Sequence, residues 1–344
     1  GRFRGSTAQT FLKRAKKRPN LRVETNATVS KLIFEGKKCV GVKFFRHGKE
    51  KFIKAATEVI LSGGAVNSPH LLQVSGIGPS DHLMNFGINV VQHLPGVGAN
   101  LQDHYVARVS HRVRHAKSIN SLSRGTNLLK ELATWAFSGK GALTFGVTSA
   151  MVFSRSRDGL SSPDLQLLFT PASYSERTLG KLEQEDGMTV AVCPVRPASR
   201  GTIMAVSSDP FVRPEIRPNY LSDRDDVRVL LAGIQQTREI FSQPALQRYS
   251  RNETAPGIQI QTSEELESFA RENGSIIYHP VSTCRMGTDV MAVVDPRLRV
   301  HGIKGLRVVD ASIMPTVTTG NTNAPTIMIA EKASDMILED ARKA

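Results

Sequence analysis

Cysteine is scarce in this 344-residue chain, and the three present, Cys39, Cys193 and Cys284, lie far apart. An odd number of widely spaced cysteines argues against a disulfide framework and against a CxxC metal site, and it favours a reducing compartment. No apolar run approaches the roughly 18–20 residues that a membrane-spanning helix needs. The first residues also lack the apolar core of a signal peptide. We therefore predict a cytoplasmic protein, with peripheral contact at the inner membrane left open.

Acidic residues are scarce in the N-terminal part of the chain. Residues 1–54 contain 16 Lys or Arg and three Glu, and most of the net charge of +14 is located there. Such a block could bind nucleic acid or anionic lipid. Its basic residues alternate with strand-like apolar ones, however, and no aromatic platform accompanies them. We predict no nucleic-acid partner, and instead a solvated basic face or a surface that meets an acidic segment.

What is present in residues 20–61 is a succession of segments that alternate apolar and polar residues, which is typical of strands. Gly36 and Gly48 fall where hairpin turns are needed. The last segment, Glu58–Leu61, runs into a glycine pair and then into an apolar run. Pro69 suits the first position of a helix there.

The glycine pair at the end of that strand, Gly63 and Gly64, permits a tight turn and close approach of the backbone to a ligand. Ser68 is a suitable N-cap for the following helix. A helix that begins in this way presents free N–H groups to an anion such as a phosphate. The glycine spacing does not match the GxGxxG fingerprint, so an ordinary structural turn explains the pattern equally well.

One histidine, His279, lies in the segment IIYHPVSTCRMG, residues 276–287. Pro280 biases its backbone towards extended conformations. A metal site with Cys284 would need further ligands, and the sequence offers no second cluster at ligand spacing, so we predict no metal. The local sequence leaves two alternatives, a structural histidine and a catalytic base.

Two further places could carry chemistry. Asn321 and Asn323 flank a threonine directly before a predicted helix, and Asn323 can cap that helix while the other amide stays free. Asp310 and Ala311 follow an apolar strand. In open α/β sheets, ligands bind at the carboxyl ends of strands, so this carboxylate could meet a ligand hydroxyl or form an ordinary turn.

Six motifs follow one another along the chain: GGAVNSPHLLQVSGIG, LPGVGANLQDH, RPASRGTIMAVSSDPFVRPEIRPNYL, YHPVSTCRMG, VDPRLRVHGIKGLRVVDASIMP and TGNTNAPTIMIAEKASDMI. Together, and in this order, they resemble the glucose–methanol–choline (GMC) family of FAD-dependent oxidoreductases. The resemblance extends over essentially the whole chain and is closest to bacterial choline-dehydrogenase-like alcohol dehydrogenases.

The resemblance implies roles for individual residues. His279 would be the base that removes the proton of a substrate hydroxyl while hydride passes to flavin N5. Asn321 would hydrogen-bond the alcohol or the developing alkoxide. The residues expected near FAD are Asn323 at the flavin ring, Asp310 and Ala311 at the ribityl–pyrophosphate part, Val29 at the adenine, and Gly63 near the nucleotide half.

The sequence departs from the family in two ways. The strand–GxGxxG–helix element that binds the FAD pyrophosphate is absent, which suggests a fragment or a second chain. We therefore expect an α/β fold: the remainder of an FAD-binding Rossmann-like domain at 1–105, an α+β substrate domain on an antiparallel sheet at 106–275, and an active-site segment at 276–344. In addition, Ser149 matches the position where choline-oxidising relatives place a carboxylate, which favours an uncharged alcohol.

The resemblance thus predicts FAD-dependent oxidation of a primary alcohol to an aldehyde. The electron acceptor is expected to be a quinone or another acceptor other than oxygen. Two alternatives stay open: a hydroxynitrile-lyase type of enzyme on the same fold, and an inactive fragment or basic binding module.

Overall fold

A computed structural model describes residues 5–146, 148–175 and 180–342. The strands are β1 (Ala27–Glu35), β2 (Lys38–Arg46), β3 (Lys49–Lys54), β4 (Val59–Leu61), β5 (Ile77–Gly78), β6 (Gln92–His93), β7 (Tyr105–Val113), β8 (Ala150–Ser154), β9 (Leu165–Thr170), β10 (Gly187–Pro194), β11 (Thr202–Met204), β12 (Glu215–Arg217), β13 (Ser250–Ala255), β14 (Ser275–Ile276) and β15 (Leu306–Val308). The α-helices are α1 (Lys13–Ala15), α2 (Gly64–Val74), α3 (Ser80–Asn85), α4 (Ile119–Leu122), α5 (Gly125–Ser138), α6 (Arg224–Ser242), α7 (Pro244–Gln247), α8 (Ser263–Asn273) and α9 (Asn323–Ala341). Short π or 3-10 turns cover Ala8–Leu12, Ala142–Thr144 and Ala311–Ile313.

The predicted N-terminal strands form an antiparallel sheet in the order β1-β2-β3. Both connections turn at the expected glycines, Gly36 at φ +58° and Gly48 at φ +73°, a region that favours glycine over residues with a Cβ. Leu32 on β1 faces the core at 1% exposure, whereas every residue of β3 is exposed. The sheet therefore buries one edge and presents basic β3 outwards.

Two short strands from distant parts of the chain, β4 and β15, pair in parallel. Helix α2 connects this pair to β1 because the Ser75 hydroxyl at its end accepts the backbone N–H of Leu32 at 2.9 Å. The same helix contacts the turn Ala311–Ile313. One hydrophobic cluster, which includes Leu72, Val308 and Ala333, spans these elements and α9.

A six-stranded antiparallel sheet fills the middle of the chain, in the order β13-β7-β10-β9-β8, with β14 paired to the start of β7. Helix α6 packs on it. Gly233 of this helix lies so close to the sheet that a Cβ there would stand 2.4 Å from Val192. The core beneath α6 includes Leu165, Val190, Leu230 and Ile234. The antiparallel sheet thus lies in the region where an α+β domain is expected.

Two predicted helix starts are wrong. Helix α2 begins at Gly64, not at Pro69, so Ser68 lies inside the helix and is not its cap. Helix α9 begins at Asn323 and follows Thr322, and no side chain forms a capping bond there. At the start of α2 a tertiary partner, the carboxylate of Asp310, accepts the N–H of Gly64 that a local cap was expected to satisfy.

In the described parts of the chain, no helix is both long and apolar enough to cross a bilayer.

Candidate active site

His279 lies in an extended segment that is held against another stretch of the chain. The neighbouring Val281 exchanges backbone hydrogen bonds with Gln102 in both directions, at 2.9 and 3.3 Å. Tyr278 adopts φ +60°, an uncommon value for a residue with a Cβ, and this turns the chain just before the histidine. The imidazole is 8% exposed. The backbone around His279 is therefore held in place by the segment that contains Gln102.

A single carboxylate fixes the backbone of this histidine and of a second one. Asp103 Oδ1 accepts the backbone N–H of His104 at 2.7 Å and that of His279 at 2.8 Å. Its Oδ2 accepts the phenol O–H of Tyr220 at 3.2 Å. Burial raises the pKa of Asp103, whereas these hydrogen bonds act in the opposite direction. Asp103 thus links the two histidines through their backbone N–H groups, in addition to the contact between their side chains.

The two imidazoles also contact each other directly. Nδ1 of His104 lies 2.9 Å from Nδ1 of His279, and the rings meet edge to face at 80°. Nε2 of His104 lies 3.4 Å from the carbonyl oxygen of Val195. Burial, with a smaller contribution from His279, lowers the pKa of His104 to about 4. Burial also lowers the pKa of His279, so both rings are neutral at physiological pH.

Asn321, the second predicted catalytic residue, lies on the other side of His279. Its Nδ2 is 3.4 Å from Nε2 of His279, and its Oδ1 accepts the side-chain N–H of Gln166 at 3.4 Å. Asn321 is exposed, whereas Gln166 on β9 is fully buried. The structure therefore brings the predicted pair together, with a ring nitrogen of His279 beside the amide nitrogen of the exposed Asn321.

Asp310 does not present a free carboxylate. Its Oδ2 accepts the backbone N–H of Gly64 at 2.9 Å and the hydroxyl of Ser68, and its Oδ1 accepts the N–H and hydroxyl of Ser312. The Ser68 hydroxyl in turn accepts the N–H of Gly63 at 3.0 Å. Asp310 therefore holds the glycine turn at the start of α2 from a position 246 residues away in sequence.

The other residues predicted near FAD lie on elements connected to this turn. Ala311 begins the 3-10 turn, and the next carbonyl, of Ser312, accepts the backbone N–H of Cys284 at 2.9 Å. Asn323 is the exposed first residue of α9. Val29 is 40% exposed on β1, the strand whose sheet contacts α2. The roles of these residues at FAD stay predictions.

Cys284 is buried at 0% exposure and its thiol is free, as expected for a structural cysteine. Burial raises its pKa, and the nearby Asp310 raises it further. Among the described residues, no three His, Cys, Asp or Glu side chains are grouped so that they could hold a metal ion.

Ser149 is exposed and precedes β8, where its N–H donates to the carbonyl of Phe169.

Sequence reasoning missed three residues of the site: Asp103, His104 and Gln166. The first two end the glycine-rich segment LPGVGANLQDH, and an acidic residue followed by a histidine was a signal that chemistry could be nearby. Gln166 gave a weaker signal, a polar residue within the apolar strand Leu165–Thr170. Each gains its role from a partner far away in sequence.

Known proteins resemble this chain in sequence over nearly its whole length. The N-terminal family model of the GMC oxidoreductases matches residues 2–106, and the C-terminal one matches residues 197–330. An oxygen-dependent choline dehydrogenase of Pectobacterium carotovorum is 43% identical over 97% of this chain, and one of Chromohalobacter salexigens is equally similar. The chain spans 60% of the length of both relatives.

Solved structures show the same fold. A formate oxidase of Aspergillus oryzae, in which FAD modification was studied, matches 96% of this chain and 63% of its own with a TM-score of 0.89 and 26% identity. A pyridoxine 4-oxidase of Mesorbium loti matches with a TM-score of 0.83, also at 26% identity. These neighbours confirm the predicted fold class. The chain therefore belongs to the GMC oxidoreductase family, and the predictions of this family and of FAD as its cofactor are confirmed.

Proposed function

We propose that the protein oxidises a primary alcohol to an aldehyde with FAD, and that His279 is the base. The observation that carries this proposal is the contact of His279 Nε2 with Asn321 Nδ2, 3.4 Å apart at an accessible edge. A neutral imidazole can accept a proton there, and an amide beside it can donate to the same substrate oxygen.

The residues around this pair are suited to a polar ring system such as the flavin. The Oε1 atom of Gln166 and the hydroxyl of Thr318 are buried without a hydrogen-bond partner among the described residues. Buried polar atoms are usually paired, so the unpaired oxygen of Gln166, whose amide nitrogen donates to Asn321, points to a group that binds there. The predicted cofactor therefore fits the polar groups that this chain presents.

Each residue of the pair has a distinct task. His279 Nε2 accepts the hydroxyl proton of the alcohol, and its lowered pKa keeps it ready to do so at neutral pH. Asn321 donates a hydrogen bond to the oxygen as its negative charge develops, which orients the carbon and stabilises the transition state. FAD, when bound, supplies the acceptor for the hydride from that carbon.

Five residues of this chain are proposed to hold FAD, directly or through a neighbouring residue: Val29, Gly63, Asp310, Ala311 and Asn323. Because the carboxylate of Asp310 is already saturated, its contribution is to hold the turn at Gly63 in place for the nucleotide half of the cofactor. The helix N-terminus at Asn323 would favour negative charge on the reduced flavin ring.

The substrate class and the electron acceptor are less narrowly defined. The relatives are named choline dehydrogenases and oxygen-dependent, which favours a choline-like alcohol and includes oxygen among the acceptors. Ser149, at the position matched to the carboxylate of choline-oxidising enzymes, favours an uncharged alcohol instead. Choline and an uncharged primary alcohol of similar size should therefore be compared as substrates, with oxygen and an artificial quinone compared as acceptors.

The test is alcohol-dependent bleaching of the flavin without oxygen, in the full-length flavin-loaded protein. His279→Asn keeps a polar side chain of related shape but removes the base, and we expect the rate to fall about 10²–10⁴-fold. The matched control is His47→Asn, the same change in the exposed turn between β2 and β3, where Asn tolerates the φ of +52°.

A bleaching rate of His279→Asn close to that of His47→Asn would overturn the role of His279. Wild-type protein that binds flavin but never bleaches with either alcohol, and instead cleaves a cyanohydrin, would identify the lyase alternative.

A further inference from the structure

His104 is a buried histidine that the proposed reaction does not use directly. Its ring is fully buried between His279 on one side and the main-chain carbonyl of Val195 on the other. A titratable side chain in such a place needs a reason, because burying an imidazole without partners is costly. The partners it has form a chain of hydrogen bonds with a single possible direction.

The direction follows from which atoms can donate. The carbonyl oxygen of Val195 can only accept, so Nε2 of His104 carries the hydrogen. A neutral imidazole has one N–H, and Nδ1 of His104 is therefore an acceptor. The contact of 2.9 Å between the two Nδ1 atoms then requires that His279 donates from its own Nδ1. His279 is left with a lone pair on Nε2.

The other side of His279 agrees with this direction. The amide nitrogen of Asn321 can only donate, and it lies beside the Nε2 that the first argument leaves unprotonated. The amide nitrogen of Gln166 points to Oδ1 of Asn321, which keeps the nitrogen of Asn321 towards the imidazole. Two independent sets of contacts therefore agree on one protonation pattern.

We propose that His104 is a positioning residue that fixes the Nδ1–H tautomer of His279, so that the Nε2 lone pair faces the substrate hydroxyl. This inference rests on the proposed function, because it concerns the base of that reaction. In the opposite tautomer, His279 would present an N–H to the hydroxyl and could not accept its proton.

The charged and titratable groups near the two rings are few. Asp103 bonds the backbone of both histidines, Tyr220 bonds Asp103, and Cys193 is the buried thiol beside that carboxylate. Burial raises the pKa of Tyr220 and of Cys193, so neither ionises near neutral pH. Asp103 is the one of these three that titrates in acid.

The test compares His104→Leu with His104→Asn in the full-length flavin-loaded protein. Leucine cannot accept the N–H of His279, whereas the Oδ1 of asparagine can. We expect His104→Leu to lower the limiting rate of flavin reduction about 10- to 100-fold, as outer partners that orient a functional histidine typically do, with little change in KM. His104→Asn should retain most of the activity.

The pH profile separates this role from a merely structural one. His104 stabilises the protonated form of His279 by accepting its N–H, so its loss should move the acid limb of kcat/KM to lower pH. In His104→Asn the acid limb of kcat/KM should stay close to its position in the wild-type protein. Because both variants retain Asp103, Tyr220 and Cys193, a difference between them cannot come from those groups.

Nitrogen NMR of histidine-labelled protein identifies the tautomer of His279 independently of any activity measurement. In wild type, His279 should show a protonated Nδ1 and an unprotonated Nε2, and His104→Leu should give a mixture. A protonated Nε2 in neutral wild type, or a rate and pH limb of His104→Leu equal to wild type, would overturn the proposal. If His279→Asn is inactive but His104→Leu is normal, only this inference fails; if His279→Asn is active, the proposed function fails.

Discussion

His104 shows how a single buried side chain can link activity to acid stability. Its pKa of about 4 in the folded protein lies below the ordinary value of 6.5, because burial disfavours the charged ring. Between these two values the unfolded chain binds the proton and the folded chain does not. The contribution of His104 to stability is therefore constant above pH 6.5 and decreases as the pH falls towards 4.

Because the folded protein disfavours the protonated ring, we predict that His104 lowers the free energy of unfolding by about 2 kcal/mol between neutral pH and about pH 5. Denaturant unfolding of the full-length protein at both pH values measures the loss. His104→Asn has no group that titrates in this range, so its unfolding free energy should depend less on pH by that amount. Parallel losses in wild type and variant would contradict the assignment of the low pKa to His104.

At the same scale, the sequence predicted the pair that we propose to be catalytic, but not the residues that we propose to orient it. His279 and Asn321 occupy motifs that carry the family resemblance, and the structure brings them into contact. His104 acquires its role from the carbonyl of Val195, and Gln166 from Asn321, each at a distance in sequence that no local pattern encodes. Such roles arise only when separate strands pack together.

Helix α2 shows why local signals mislead about helix ends. Pro69 was expected at the first helical position, yet it lies inside the helix and removes the N–H that would bond the carbonyl of Ala65. The hydroxyl of Thr283 donates to that carbonyl instead, at 2.6 Å. The helix can therefore start at the glycine pair, because a residue of the active-site segment replaces the missing donor.

This substitution of one donor by another is testable with a double-mutant cycle. Thr283→Val keeps the shape but leaves the carbonyl of Ala65 unpaired, and we expect a loss of about 1–3 kcal/mol in the free energy of unfolding. In a Pro69→Ala background the restored backbone N–H can bond that carbonyl, so the same change should cost less. Thr283→Ser, which retains the hydroxyl, is the matched control. Equal costs in both backgrounds would show that the Thr283 hydroxyl does not compensate for proline.

Other elements followed the sequence more closely. The hairpins of β1, β2 and β3 turn at the predicted glycines because a left-handed backbone there favours a residue without a Cβ. Between residues 295 and 310, by contrast, the sequence DPRLRVHGIKGLRVVD predicts two strands joined by a turn at Gly302–Gly305, yet only β15 forms. The first segment makes isolated bridges, such as that of Arg299 with Arg307, since it meets no continuous partner strand.

At the scale of the molecule, the order of motifs predicted the family and fold class, while the sequence could not show which distant segments meet. The parallel pair of β4 and β15 joins parts of the chain almost 250 residues apart. One buried side chain of this pair, that of Arg307 on β15, forms bonds with several such parts of the chain. Its side chain is 4% exposed.

The guanidinium of Arg307 donates to three groups from three places in the chain. Nε bonds Glu58 at 2.8 Å, one terminal nitrogen bonds the carbonyl of Arg297 at 2.8 Å, and the other bonds Asp340 near the end of α9 at 2.7 Å. A planar fork can reach three acceptors at once, whereas the single ammonium of lysine cannot. The buried charge of Arg307 is thus matched by geometry as well as by sign.

We therefore expect Arg307→Lys to lower the free energy of unfolding by about 1–3 kcal/mol, because one ammonium cannot replace the fork that donates to Glu58, to the carbonyl of Arg297 and to Asp340. Arg299→Lys is the matched control: Arg299 is 52% exposed and pairs with Asp295, so its change should stay within about 0.5 kcal/mol. Denaturant unfolding followed by intrinsic fluorescence and by circular dichroism measures both. Since Arg307 anchors α9, the helix that Asn321 precedes, Arg307→Lys should also slow flavin reduction, whereas Arg299→Lys should not. Equal stabilities of the two variants would mean that the three-way contact of Arg307 contributes no more than a surface ion pair.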